Sequence, residues 1–211
     1  MNNENALIVF QKNAVLGKVK SRLAATIGEE KALEIYKSLL LHTFGEISKL
    51  YGIDTSIFYS DFIEFDSESA YKAEYKEIQV GGDLGERMSN AFRKLFQEGY
   101  KKVVIIGTDC PEIQSSDIDA AFRSLEKNEV CIGPALDGGY YLLGMRRFHE
   151  CLFQNIPWSS SEVTAKTKEI LISRQISFDL LKRLIDEEFA KLLKAYNKEV
   201  YDASKTTTLP I

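Results

Sequence analysis

A chain of 211 residues, 45% hydrophobic and 27% charged, holds enough apolar side chain to fill one large α/β domain, and its length suits that better than two small domains. A formal net charge of −4 with no long basic tract disfavours nucleic-acid binding through counterion release. Three widely spaced cysteines, Cys110, Cys131 and Cys151, form no C-x-x-C pair, and the histidines are only His42 and His149, so a zinc site is disfavoured and buried, reduced thiols are expected.

The apolar run Ala6 to Phe10 is too short for a signal-peptide core or a membrane span, which predicts a soluble, cytoplasmic protein. That run reads as a first strand, and QKNAVLGKVKSRLAATIG after it reads as a loop. From about Glu29 to Leu50, Ala32, Ile35, Tyr36, Leu39, Leu40, Thr43 and Ile47 form one stripe of an amphipathic helix. Ile53 to Tyr59 is a second strand, Ser60 to Lys76 is mostly loop with a short helix, and Ile78 and Val80 mark a brief strand. Leu84, Met88, Ala91, Phe92 and Leu95 have helical spacing over Leu84 to Phe96.

Val103 to Ile106 is a run of four β-branched residues, the pattern of a strand buried on both faces. Ser116-x-x-Asp119 predicts a capping box opening the next helix. Val130 to Gly133 and Tyr140 to Gly144 are strands, and Ser159-x-x-Glu162 caps a helix to about Ile172. Ile176 to Phe178 is a short strand, Leu180 to Tyr196 a terminal helix, and the tail 197–211 is expected to be poorly ordered. Strands alternating with helices predict a parallel or mixed sheet covered on both faces, in one domain spanning 1–196.

The chemistry is concentrated in loops. In VVIIGTDCP, Gly107 turns the chain out of the sheet and Asp109 follows at the strand's carboxyl end, where open α/β sheets bind ligands. Such a carboxylate can hold a divalent cation, and the cation a diphosphate. It can equally bond its own backbone in a turn. In GPALDGGYYLLG, Asp137 precedes two glycines, one more than a hairpin turn needs.

The loop after the first strand, GKVKSR, offers Gly17, Lys18, Lys20 and Arg22 to a phosphate chain, or to solvent alone. It is not a P-loop, because Lys12 and Val19 stand where Gly and Ser or Thr are required. GGDLGERM either lets a flat base lie against its glycines or places Asp83 as an ordinary helix cap. The first strand lacks the Asp of a haloacid-dehalogenase phosphatase, and neither histidine lies near a nucleophile motif.

The ordered set GKVKSRL, GGDLGERM, GTDCP, GPALDGGYYLLG and IPWSSSEV resembles a bacterial family, the radical-SAM/selenodomain-associated glycosyltransferases. The resemblance covers about Ala6 to Leu193 and extends to 2-phospholactate guanylyltransferases and molybdenum-cofactor nucleotidyltransferases. It implies the GT-A, or nucleotide-diphospho-sugar transferase, fold: a three-layer α/β/α domain with a mainly parallel mixed sheet. It also implies that Gly17, Lys18, Lys20 and Arg22 contact the nucleotide's phosphates, that Gly82, Leu84 and Gly85 flank the base, and that Thr108 belongs to the nucleotide-binding set.

On the same resemblance Asp109 and Asp137 are the catalytic carboxylates, and Asp109 and Asp186 hold Mg²⁺ or Mn²⁺. Gly138, Gly139, Tyr140 and Trp158 border the sugar or acceptor pocket. The resembled relatives tend to carry Asp-hydrophobic-Asp before the last helix, whereas this chain has Leu184-Ile185-Asp186, so the first carboxylate is missing and Asp186 is either the remaining ligand or a helix N-cap. The expected activity is metal-dependent transfer from a nucleoside-diphosphate sugar to a small acceptor. The alternatives are nucleotidyl transfer to a phosphorylated acceptor and a non-catalytic nucleotide-sugar-binding module. If Asp109 only caps a turn, Asp109→Ala is expected to cost about 1 kcal/mol; if it is a metal ligand, relief of repulsion among carboxylates is expected to stabilise the ligand-free protein slightly.

Overall fold

The computed structural model describes residues 3–64, 73 and 75–184. In chain order the elements are β1 (Asn5–Gln11), α1 (Ser21–Ile27), α2 (Glu29–Ile47), β2 (Ile53–Tyr59), β3 (Tyr75–Ile78), α3 (Leu84–Gln97) and β4 (Lys102–Gly107). There follow α4 (Ser115–Ser124), β5 (Val130–Pro134), β6 (Tyr140–Met145), a 3₁₀ turn at Glu150–Phe153, α5 (Val163–Ser173) and β7 (Phe178–Leu180). The strands form one sheet in the order β3-β2-β1-β4-β6-β5-β7. Only β6 runs antiparallel to its neighbours, β4 and β5. The result is the expected mixed, mainly parallel α/β sheet.

The β-branched strands are hydrophobic on both sides because both sides are covered. Ala6 and Ile8 of β1, with Val103 and Ile105 of β4, share a core with Met88, Phe92 and Leu95 of α3 and Leu171 of α5. The alternate residues Leu7, Val9, Val104 and Ile106 pack with Phe44 and Ile47 of α2 and Ile118 and Phe122 of α4. The period-two alternation of each central strand thus feeds two helical layers. A smaller cluster of Leu23, Ala32, Ile35 and Leu39 joins α1 to α2.

Several boundaries differ from the sequence expectation. The loop after β1 contains helix α1, whose seven residues are too few for a periodic signal and whose Leu23 is buried only by docking on α2. Helix α4 begins at Ser115, so the capping carboxylate is Asp117, which accepts the Gln114 N–H at 3.0 Å, and not Asp119 with Ser116. That start is set partly from outside, since Glu46 of α2 accepts the Ser115 N–H at 2.9 Å. Ser159 does not cap α5: it sits in a left-handed turn (φ 63°) four residues before the helix.

The expected strand at Ile176 to Phe178 forms two residues later, as β7. Beyond it, residues 181–184 do not begin a helix. They run beside β5, with the Leu181 N–H on Ile132 O (2.8 Å) and the Leu184 N–H on Pro134 O (3.1 Å). Leu184 is buried in the same core as Tyr141 and Leu142. Unpaired backbone at the edge of β5 wins over local helical spacing here. Asp186, the rest of the expected terminal helix and the tail 197–211 lie outside the described residues, as does most of the expected loop from Ser60 to Lys76.

Candidate active site

Three loops leave one edge of the sheet together. Strands β1 and β4 are parallel neighbours, with Phe10 opposite Gly107, so the segments following them emerge side by side. Because β6 is antiparallel to β4, with Leu142 opposite Ile106, the β5–β6 turn carrying Asp137 reaches the same edge. The chain passes from β1 to β2 on one side, while β4 lies on the other. That makes this edge a topological switch point, where ligand crevices form.

A cavity of about 610 Å³ opens there. Its cationic side chains are Lys12, Lys18, Lys20 and Arg22, and its carboxylates are Asp109 and Asp137. Leu84, Tyr140, Trp158 and Val163 supply apolar surface, and Ser21, Ser159, Ser160, Ser161 and Gly139 complete the lining. Among the described residues four cations face two carboxylates in this cavity, in a chain whose net charge is −4. Of the residues chosen from sequence, Lys18, Lys20, Arg22, Leu84, Asp109, Asp137, Gly139, Tyr140 and Trp158 converge on it. Gly17, Gly82, Gly85, Thr108 and Gly138 are not part of the lining.

Those five have other surroundings. A methyl on Gly17 (φ +74°) would stand 3.2 Å from the Glu29 carboxylate. The Gly82 N–H donates to Glu86 Oε2 at 2.8 Å, while Asp83 Oδ1 accepts the Glu86 N–H at 2.8 Å and so caps α3. Gly85 admits the indole of Trp158, and Gly138 (φ +94°) admits the Ser161 carbonyl, 2.1 Å from where a Cβ would be. Thr108 is buried, with Oγ1 3.1 Å from the Tyr36 hydroxyl.

Tyr36 supports the site, and sequence reasoning saw it only as part of a helix stripe. Its hydroxyl donates to Lys12 O at 2.8 Å and accepts the Lys12 N–H at 3.1 Å. With the Thr108 contact, one buried phenol therefore joins the loop after β1 to the loop after β4. Burial first, and the charge of Asp109 in addition, push its pKa well above the ordinary value, so it stays protonated and able to donate. Lys12 and the serines at 159–161 were also missed. Lys12 follows the end of β1 directly, in the kind of position that singled out Asp109.

Asp137 Oδ1 accepts the Gly139 N–H at 2.9 Å, which fixes the β5–β6 turn. Asp109 Oδ1 lies 3.6 Å from Lys20 Nζ. Among the described residues no three His, Cys, Asp or Glu side chains group as a metal cage. Two carboxylates in a cavity that also carries cationic side chains have the chemistry that Mg²⁺ or Mn²⁺ takes, hard ions held by one or two carboxylates together with phosphate oxygens of a substrate.

Comparison with known proteins agrees with this architecture. A crystal structure from Desulfovibrio desulfuricans G20, provisionally described as a nucleotide-diphospho-sugar transferase, is 30% identical over 93% of this chain and 88% of its own, with a TM-score of 0.80. CMP:2-keto-3-deoxy-manno-octonic acid synthetase complexed with CTP shares the fold at 11% identity and TM-score 0.54, covering 94% of this chain and 99% of its own. Glucosyl-3-phosphoglycerate synthase from Mycobacterium tuberculosis, in complex with Mn²⁺, UDP and glucosyl-3-phosphoglycerate, does so at 12% and 0.53, covering 87% and 72%. No curated protein matches the chain. The fold is that of the nucleotide-diphospho-sugar transferases. Residues 43–160 match the family described as "Uncharacterized protein conserved in bacteria (DUF2064)", and the chain belongs to that family.

Proposed function

We propose that this protein is a metal-dependent transferase whose donor is a nucleoside-diphosphate sugar. The observation that carries the proposal is the meeting, in one cavity, of a cationic loop after β1 and a carboxylate after β4. Lys12, Lys18, Lys20 and Arg22 bind the donor's diphosphate, with Gly17 and Thr108 shaping their loops. Leu84, carried by the Gly82–Gly85 turn, lies against the base. Asp109 and Asp137 are the carboxylates that hold Mg²⁺ or Mn²⁺, Asp186 being outside the described residues. Such an ion, once bound, neutralises charge on the departing diphosphate. The cationic side chains share that charge from fixed positions, which favours the transition state over the ground state. Tyr140, Trp158 and the Gly138–Gly139 turn border the transferred sugar and its acceptor, excluding water with an apolar wall.

Calorimetry with Mn²⁺ and a panel of nucleoside-diphosphate sugars tests the proposal. Saturable, Mn²⁺-dependent heat is expected; absence of binding at millimolar concentration overturns it. One observation favours a second reading. The excess of cations over carboxylates suits a triphosphate as well as a diphosphate, as a nucleotidyltransferase would need. Release of pyrophosphate from a nucleoside triphosphate would establish that reading, and release of nucleoside diphosphate from a sugar donor would exclude it.

A further inference from the structure

Between the end of β1 and Val19, Asn13 alone is buried, at 2% exposure, and it does not line the cavity. Its amide grips the segment that follows β2. Oδ1 accepts the Asp61 N–H at 3.0 Å and the Phe62 N–H at 3.2 Å. Nδ2 donates to Phe62 O and to Glu64 Oε1, both at 2.9 Å. Two donors and two acceptor positions are used together, a set that no other side chain of this size offers. The Asn13 backbone N–H donates to Ser60 Oγ at 3.1 Å, and Glu64 Oε1 also accepts the Ala14 N–H at 3.4 Å. From Asn13 two turns lead to the cavity: the Val15 N–H lies on Asn13 O (2.8 Å) and the Lys18 N–H on Val15 O (3.0 Å). Residues 15–18 are exposed, so burial does little to fix them.

We infer that Asn13, acting with Glu64, is the positioning residue of the loop after β1: it ties that loop to the segment after β2 and so fixes where Lys18 meets the donor's diphosphate. This rests on the proposed role of the loop's cations in binding that diphosphate. An exposed loop that must be ordered by its ligand binds it more weakly than one ordered beforehand. Asn13 supplies that order in the folded protein. The contact with Glu64 needs a donor on one side and an acceptor on the other. A neutral amide oxygen in place of the Glu64 carboxylate still accepts from Asn13. A carboxylate in place of the Asn13 amide instead faces the Phe62 carbonyl and the Glu64 carboxylate with no proton to give.

The test is calorimetric binding of inorganic pyrophosphate with Mg²⁺, a probe that has phosphates but neither base nor sugar. It compares wild type, Asn13→Asp, Glu64→Gln, the double variant and Ile118→Val, a buried core change that lowers stability away from the loop. Asn13→Asp should lose about tenfold in affinity and Glu64→Gln less than about twofold. The double variant should recover about threefold or more, because the new amide can donate to the new carboxylate. Ile118→Val should bind as wild type does. In wild type alone, the probe should slow hydrogen exchange of the Asp61 and Phe62 amides about threefold or more, although neither residue lines the cavity. Unchanged exchange at those amides overturns the inference even if no Asn13 variant folds. Full affinity in Asn13→Asp, an equal loss in Ile118→Val, or no recovery in the double variant also overturns it, and leaves the proposed function standing. A wild type that binds no pyrophosphate at millimolar concentration defeats the proposed function, and the positioning role falls with it.

Discussion

Gly85 on the first turn of α3 and Trp158 on the loop before α5 are in direct contact: a Cβ built on Gly85 would stand 2.2 Å from the indole Nε1 and 2.5 Å from Cε2. The indole also meets Tyr140 edge-on, with ring centroids 6.4 Å apart, so a bare Cα seats one wall of the cavity. Gly85→Ala should push the ring off the helix and cost about 1–3 kcal/mol, the range for overpacking. Trp158 is the only tryptophan in the chain, so fluorescence excited at wavelengths that tyrosine does not absorb reports on it alone. A variant with unchanged emission and unchanged urea midpoint would show that the contact is slack.

Of the two expected signs for Asp109→Ala, the ion pair with Lys20 favours destabilisation. Repulsion among carboxylates predicts slight stabilisation of the ligand-free protein, but Asp109 is an ion-pair partner of the shielded Lys20. Loss of that ion pair, one of at least two interactions of Lys20, should instead cost about 1 kcal/mol or less. Metal-dependent nucleotide affinity should fall at least about tenfold, or ~1.4 kcal/mol. Thermal melts with and without Mn²⁺ and nucleotide check both parts. A variant that keeps the full ligand-induced shift would reduce Asp109 to a turn residue.

Tyr36→Phe removes one oxygen and three contacts, those to Lys12 O, the Lys12 N–H and Thr108 Oγ1. Stability should drop by about 1–3 kcal/mol because the backbone of Lys12 loses its partner. Nucleotide affinity should fall too, since the loop bearing the cavity's cations is no longer tied down. Equal affinity in the two proteins would mean that the loop is held by other contacts.

A pH effect arises far from the cavity. His149 Nε2 lies 3.0 Å from Glu129 Oε2, and Arg147 Nε binds the same oxygen at 2.6 Å. Burial outweighs the attraction of Glu129 and holds the imidazole below its ordinary pKa of 6.5. A folded-state pKa below the unfolded one means that protons prefer the unfolded chain. Stability from this group is then present above pH 6.5 and is lost as pH falls below that value toward the folded pKa. Urea midpoints measured between about pH 7 and 5.5 should decline in wild type and less steeply in His149→Asn. Parallel curves would dismiss His149 as the cause.

The sequence by itself determined the elements whose signal is local. The β-branched run of β4, the matching bounds of β2 at Ile53 and Tyr59, and the helical spacing of α3 all follow from side-chain period and burial. It also determined where Asp109 and the lysines of the first loop would emerge, because a buried parallel strand must end in a loop at the sheet edge. Tertiary structure decided what no local window contains. Helix α1 forms because Leu23 finds α2, and residues 181–184 extend because β5 offers unpaired backbone. Gly85, legible as a possible base contact, became the seat of Trp158. Tyr36, legible as a core aromatic, became the tie between two loops. The pairing of Lys20 with Asp109 depends on β1 and β4 lying side by side, an order set by long-range packing rather than by any residue near either charge.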